Sequence, residues 1–374
     1  MPLKTRGQLD PLTSMRGIAA VMVVTYHFTG SFVPNLNPAP LTGLVSKAYL
    51  WVDFFFVLSG FIMAHAYTET FRDRIDWPAF KAFILARVAR IYPLHLMVLG
   101  GFLGLEFIKL ILGYFQLGID VDAPFGPGSS LFGFILNMLM LQTSGLQAQL
   151  TWNGPAWSVG AEFFAYLLFP FLSFAMIRAS LWVRLMIGAS TLLALALIVD
   201  VGGTLDVKVG LGLARCLIGF SIGILAQRLV ADRPMAQGVF ILCGCVAALL
   251  PILMHFKAPD ILFPFAFACL ILFLADRKTW LTQHLSNPVL VRLGEISYAV
   301  YMLHFLLQHV VQLTSRAVTG QRIGVHLDAF DSLLLVVSLG LITIWLADHA
   351  YERVEKPARL VLRKRALRPA TAVV

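Results

Sequence analysis

Eleven apolar stretches run almost end to end through this chain, near residues 15–34, 45–67, 91–116, 131–146, 155–177, 185–200, 209–230, 235–254, 260–275, 289–313 and 330–352. About 20 such residues in a helix cross the roughly 30 Å hydrocarbon core of a bilayer. No water reaches the backbone there, so a crossing segment must pair its own N–H and C=O groups, as a helix does. An all-α, polytopic transmembrane helix bundle is therefore expected, as a single domain over 1–374. Composition agrees: 59% of residues are hydrophobic and 13% charged, against roughly 25% charged in a soluble domain.

The basic residues set the topology. The net charge of +9 would suit a nucleic-acid partner, but the lysines and arginines gather at the ends of apolar stretches, which is the positive-inside pattern of a membrane protein. No nucleic acid is expected. Both termini favour the cytosol, which demands an even number of crossings. The stretch at 131–146 would cover only about 24 Å as a helix, between the Pro/Gly-rich DAPFGPGSS and the polar TSGLQAQLTWNGP. Read as short or re-entrant, it leaves about ten spans. Lys47, Lys208, Lys257, Arg316 and Arg322 then lie outside, with Lys109 and Arg215 in the membrane and the other basic residues inside. Lys4 and Arg6 precede the first span, which reads as a retained signal-anchor. The basic tail at 353–374 reads as a cytosolic anchor near anionic lipid. The four cysteines have no zinc-ligand spacing and read as packing residues; no metal site is expected.

Polar groups inside apolar stretches mark candidate function. Arg16 and His27 are eleven residues apart, so on a helix they share one face, about 20° apart around it and about 16 Å along it. Asp53 begins the second span, where Lys47 is one partner; Arg215 has no local acid, and Asp53 and Glu162 are its candidates. Glu106 and Lys109 are spaced to pair. Arg87 and Arg90 share a face, with Lys81 a further turn and a half back and Pro93 expected to break or bend the helix. Their guanidiniums suit phosphate, as they also suit plain anchoring. Trp152, Asn153, Trp157, Ser158 and Glu162 surround the start of another apolar helix. Ser297, Tyr301 and His304, with neighbouring Tyr298, stripe a later one.

In chain order, Arg16-x10-His27, VDFFFVLSGF at 52–61, RVARIYP at 87–93, PAWSVGAE at 155–162 and SYAVYMLH at 297–304 resemble the acyltransferase 3 family of integral membrane acyltransferases. Glu355-Lys356-Pro357 fits as well. The resemblance spans essentially the whole chain; each motif is weak alone, and the ordered set is specific. It implies transfer of an acyl group, commonly acetyl from acetyl-coenzyme A, to carbohydrate or another hydroxyl or amine acceptor, here expected to be a hydroxyl of a carbohydrate or glycolipid-type acceptor, in a bacterial inner membrane with both termini cytosolic. It also implies an essential His27, with Arg16 beside it in the motif and Arg87 and Arg90 holding the donor. No permanently bound cofactor is implied. Where many relatives carry a second acid after the glutamate, this chain has Phe163, which leaves any shared role of two carboxylates open. Some relatives carry an extra extracytoplasmic hydrolase-like domain, and none is expected here.

The residues fit this chemistry. Imidazole is a base or nucleophile at neutral pH, so His27 reads as general base or transient acyl carrier. Glu162 would orient or tune it, or position the acceptor. Asp53, Trp157, Ser158, Arg215, Tyr298, Tyr301 and His304 complete the lining or its support. The competing reading is a proton-coupled secondary transporter with His27, Asp53, Glu162 and His304 as a relay. A membrane-bound O-acyltransferase of the other fold type would carry its histidine late in the chain.

Overall fold

The computed structural model describes residues 9–30, 32–115, 122–231, 235–325 and 327–366, with side chains to residue 361. Lys4, Arg6, Arg233 and the tail beyond residue 366 lie outside the described residues. Among the described residues every regular element is helical. The main helices are α1 (Asp10–Phe28), α2 (Trp51–Tyr67), α3 (Trp77–Tyr114), α4 (Leu131–Met138), α5 (Trp157–Arg178), α6 (Leu181–Gly202) and α7 (Gly212–Leu229). After them come α8 (Gln237–His255), α9 (Phe263–Asp276), α10 (Pro288–Glu295), α11 (Ser297–Thr319), α12 (Ala329–Ala350) and α13 (Lys356–Ala366). Local chemistry starts several of them: the side chains of Asp76, Ser180 and Asp328 accept first-turn N–H groups of α3, α6 and α12, which those donors otherwise lack.

Seven helical stretches are long and apolar enough to cross a membrane, and α10 with α11, bent by 60°, makes an eighth if the pair is one span. The sequence reading of about ten differs by two helices. α1 has 19 residues, but Asp10, Arg16 and His27 leave it too polar; α9 has only 14, about 21 Å of helix. The stretch at 131–146 yields the 8-residue α4 followed by turns, too short to cross, as expected. Pro93 neither breaks nor ends its helix: α3 runs through it for 38 residues, as membrane helices allow when neighbours support the backbone. Cys216 and Cys243 are buried, whereas Cys245 is exposed, so packing does not account for all four cysteines.

Burial ranks the helices. In the most apolar window of each, 67% of α2 is buried against 17% of α6 and α8, so α2 is central and the other two face outward. α2 and α7 meet backbone to backbone: a Cβ at Gly60 would run into the Phe220 carbonyl oxygen, and one at Gly223 into that of Val57. Only glycine permits this approach. On the other side of α2, helices α1, α3, α5 and α11 enclose the candidate site.

Candidate active site

A cavity of about 100 Å³ opens where α1, α2, α3, α5 and α11 converge, lined by Arg16, Ser59, Arg90, Ser158, Glu162, Tyr166, Ser297, Tyr298 and Tyr301 over apolar walls of Phe55, Phe56, Ile62 and Met63. Four of the five sequence motifs thus reach one chamber by side chains more than 280 residues apart in the chain, and the fifth, VDFFFVLSGF, supplies its wall. Arg16 Nη2 donates to Ser297 Oγ at 3.1 Å and makes no ion pair among the described residues. Arg90 lines the cavity with neither hydrogen bond nor ion pair among them. Glu162 Oε1 accepts from both the Ser59 and Tyr166 hydroxyls, while Oε2 has no protein donor among the described residues. The chamber therefore holds two guanidiniums and one carboxylate, none tied in a salt bridge.

The walls are fixed by hydroxyls. Tyr298 donates to the Ile91 carbonyl at 2.8 Å, pinning α11 to α3 beside Arg90. Tyr301 donates to the Pro155 carbonyl at 2.9 Å and lies 2.8 Å from Ser158 Oγ, pinning α11 to the start of α5. Asn153 reaches the Met302 carbonyl at 3.3 Å across the same joint.

One turn beyond Tyr301 on α11, His304 meets His27 of α1. His304 Nε2 is 3.2 Å from His27 Nδ1, His27 Nδ1 is 2.9 Å from the Val23 carbonyl, and His304 Nδ1 is 2.6 Å from the Tyr301 carbonyl. His304 is fully buried, and Tyr26, Phe28 and Phe305 surround the pair. His27 and Arg16 thus share a helix face as their spacing implies, both turned to α11, but only Arg16 lines the cavity.

Other expected residues stand apart. Arg87 does not share the cavity with Arg90. Its Nη2 donates to the Tyr67 hydroxyl at 3.0 Å, and its guanidinium lies 5.4 Å from the Tyr67 ring centre and 5.8 Å from that of Tyr166. It braces a wall from behind. Arg215 resolves its open partnership: Nε and Nη2 grip both Asp53 oxygens at 2.8 and 2.6 Å, each residue being 1% exposed. Lys47 is taken by Asp260 instead. Trp157 lies between this pair and the cavity wall, its ring 5.6 Å from the Arg215 guanidinium and edge-on to Phe56. Glu106 and Lys109 pair at 2.6 Å as expected. Glu162 makes no hydrogen bond to His27 among the described residues; its partners are Ser59 and Tyr166. Tyr166 escaped the sequence reading although it sits four residues after Glu162, on the same helix face.

The fold defines a multi-pass membrane protein. A family model for an acyltransferase domain, Acyl_transf_3, matches residues 11–351, and the chain belongs to this acyltransferase 3 family. It is similar to the acyltransferase MdmB of Streptomyces mycarofaciens, 25% identical over 343 residues, which cover 84% of this chain and 82% of that protein. It is also similar to protein 2 in the picA locus of Rhizobium radiobacter, 33% identical over 154 residues, 40% of this chain and 75% of that one. No solved structure matches. The chain is an acyltransferase, and the transporter reading gives way to it.

Proposed function

We propose that this acyltransferase takes an acyl group, acetyl in the simplest case, from a coenzyme A thioester on the cytosolic side of the bacterial inner membrane and gives it to a hydroxyl of a carbohydrate or glycolipid-type acceptor. The observation that supports this reading is the chamber in which Arg16 and Arg90 make no salt bridge among the described residues, although Glu162 shares the lining. Guanidiniums left open in an apolar interior are complementary to an anion, and phosphate oxygens take them in charge-assisted hydrogen bonds. Arg87 supports this donor site through Tyr67 and Tyr166.

With the phosphates at the inner arginines, the thioester arm extends past Ser158 and Tyr301 toward His27. Glu162, its Oε1 held by two hydroxyls, offers Oε2 to an amide N–H or hydroxyl and orients it. The two hydrogen bonds of His27 Nδ1 leave Nε2 as its second ring nitrogen for chemistry. As general base, Nε2 takes the acceptor's proton while the acceptor oxygen attacks the thioester carbonyl. The C–S bond then breaks, the new C–O bond stays with the acceptor, and the proton passes to the departing sulfur. Attack by Nε2 itself, with a transient acyl-imidazole, uses the same placement.

Binding of acetyl-coenzyme A to the purified protein in lipid nanodiscs, followed by calorimetry, tests the reading. Wild type should bind, and His27→Ala should bind equally while releasing no free coenzyme A thiol. A folded wild type that fails to bind acetyl-coenzyme A would remove the donor assignment.

A further inference from the structure

We propose that His304 is the positioning residue of the transfer step: a neutral imidazole that takes the Nδ1–H of His27 and so turns the His27 Nε2 lone pair toward the reacting hydroxyl. This rests on the reading of His27 as base or nucleophile and adds to it which nitrogen reacts and what holds it there.

Hydrogen-bond chemistry assigns the protons. A carbonyl oxygen only accepts, so the 2.6 Å contact between His304 Nδ1 and the Tyr301 carbonyl requires a proton on that nitrogen. In a neutral ring His304 Nε2 is then an acceptor. By the same reasoning the 2.9 Å contact of His27 Nδ1 with the Val23 carbonyl places its proton on Nδ1. One N–H therefore serves two acceptors, Val23 O at 2.9 Å and His304 Nε2 at 3.2 Å. The assignment is self-consistent only with His304 uncharged, because a proton on its Nε2 would face the His27 N–H head-on. His27 Nε2 is left with the free lone pair.

The arrangement does chemical work when His27 takes the acceptor's proton. The imidazolium then donates from Nδ1 to His304 Nε2 in a charge-assisted bond, stronger than the neutral one before it. A carboxylate in the place of His304 would hold the ring equally well but would bring a buried charge into an apolar shell of Tyr26, Phe28 and Phe305. A neutral partner stabilises the cation without that cost. Its own orientation is set by α11, whose Tyr301 is fixed on Pro155 and Ser158.

The test compares His304→Gln, whose side-chain carbonyl is still an acceptor, with His304→Leu, which has none. The readouts are coenzyme A thiol release from acetyl-coenzyme A, donor affinity, and ¹⁵N-histidine NMR of wild type. We expect His304→Leu to lower the rate constant about a hundredfold, the scale of lost general-base assistance, with donor affinity unchanged, and His304→Gln to recover most of the rate. The wild-type spectrum should show His27 and His304 both protonated at Nδ1. The proposal falls if His304→Leu turns over like wild type, if Gln is as slow as Leu, if donor affinity falls with the rate, or if His27 carries its proton on Nε2. Wild type that binds no acetyl-coenzyme A sinks the donor reading instead, and the spectrum still decides the proton assignment.

Discussion

Arg215 and Arg90 are guanidiniums in one apolar bundle, and the fold treats them in opposite ways. Arg215 is clamped by both oxygens of Asp53 and by the Tyr49 and Val207 carbonyls, with 1% of its side chain exposed. Arg90 faces a cavity and makes neither hydrogen bond nor ion pair among the described residues. A closed bidentate pair is neutral as a unit, and four of the five guanidinium N–H donors already go to protein oxygens, so it holds α2 and α7 in place. An open guanidinium gains most when an anion arrives. In a membrane enzyme, the partner of a buried charge separates scaffold from site better than its burial does.

This contrast breaks most visibly at the scaffold. Arg215→Ala leaves Asp53 buried and unpaired, a loss of about 3–5 kcal/mol, seen as a lower thermal midpoint and loss of monodisperse protein. The apolar pair Arg215→Met/Asp53→Leu should recover most of it. A single variant with unchanged midpoint would show that the pair does not hold the fold. Arg90→Ala should do the reverse. Its thermal midpoint should match wild type, while acetyl-coenzyme A affinity falls roughly tenfold to a hundredfold, the worth of hydrogen bonds to a charged group at about 1.5–3 kcal/mol. Unchanged affinity would erase the distinction between the two arginines. The smallest effect belongs to the hydroxyls on Glu162. Ser59→Ala should slow turnover about fivefold, in line with about 1 kcal/mol for one hydrogen bond. Tyr166→Phe should do the same, and a rate above wild type in either would argue against a holding role.

The helical bundle and most residues of the candidate site are legible in the chain because apolar length and intramembrane polarity are local properties. Arg16 and His27 were placed on one face by helical spacing alone, and both turn to α11. The same-helix pairs, Glu106 with Lys109 and Glu162 with Tyr166, were within reach of spacing arguments, and only the second was overlooked. Contacts between helices were not legible, since they depend on crossing angles and on where each helix begins. Spacing left Asp53 and Glu162 equal candidates for Arg215, whereas the glycine-tight approach of α2 and α7 decides for Asp53. It put Arg87 and Arg90 on one face, yet Arg87 turns to Tyr67 and only Arg90 reaches the cavity. The chemistry left Glu162 either to orient His27 or to position the acceptor; α11 brings His304 to His27, and Glu162 is held by Ser59 and Tyr166. Two expected spans, α1 and α9, fall short of a crossing helix because one carries Asp10, Arg16 and His27 and the other has only 14 residues.

The glycine seam between α2 and α7 also bears on how such an enzyme diversifies. Main chain against main chain leaves no atom to trim and no room to add one, and α2 supplies the apolar wall of the chamber in front of that seam. The opposite walls, from α3, α5 and α11, meet the chamber through side chains, and those outside the Tyr298, Tyr301 and Glu162 hydrogen bonds, such as Ile91 and Val159, can change size without shifting a backbone. A new acyl chain or acceptor is thus accommodated by substitutions on one half of the pocket, with the other half serving as an inherited template.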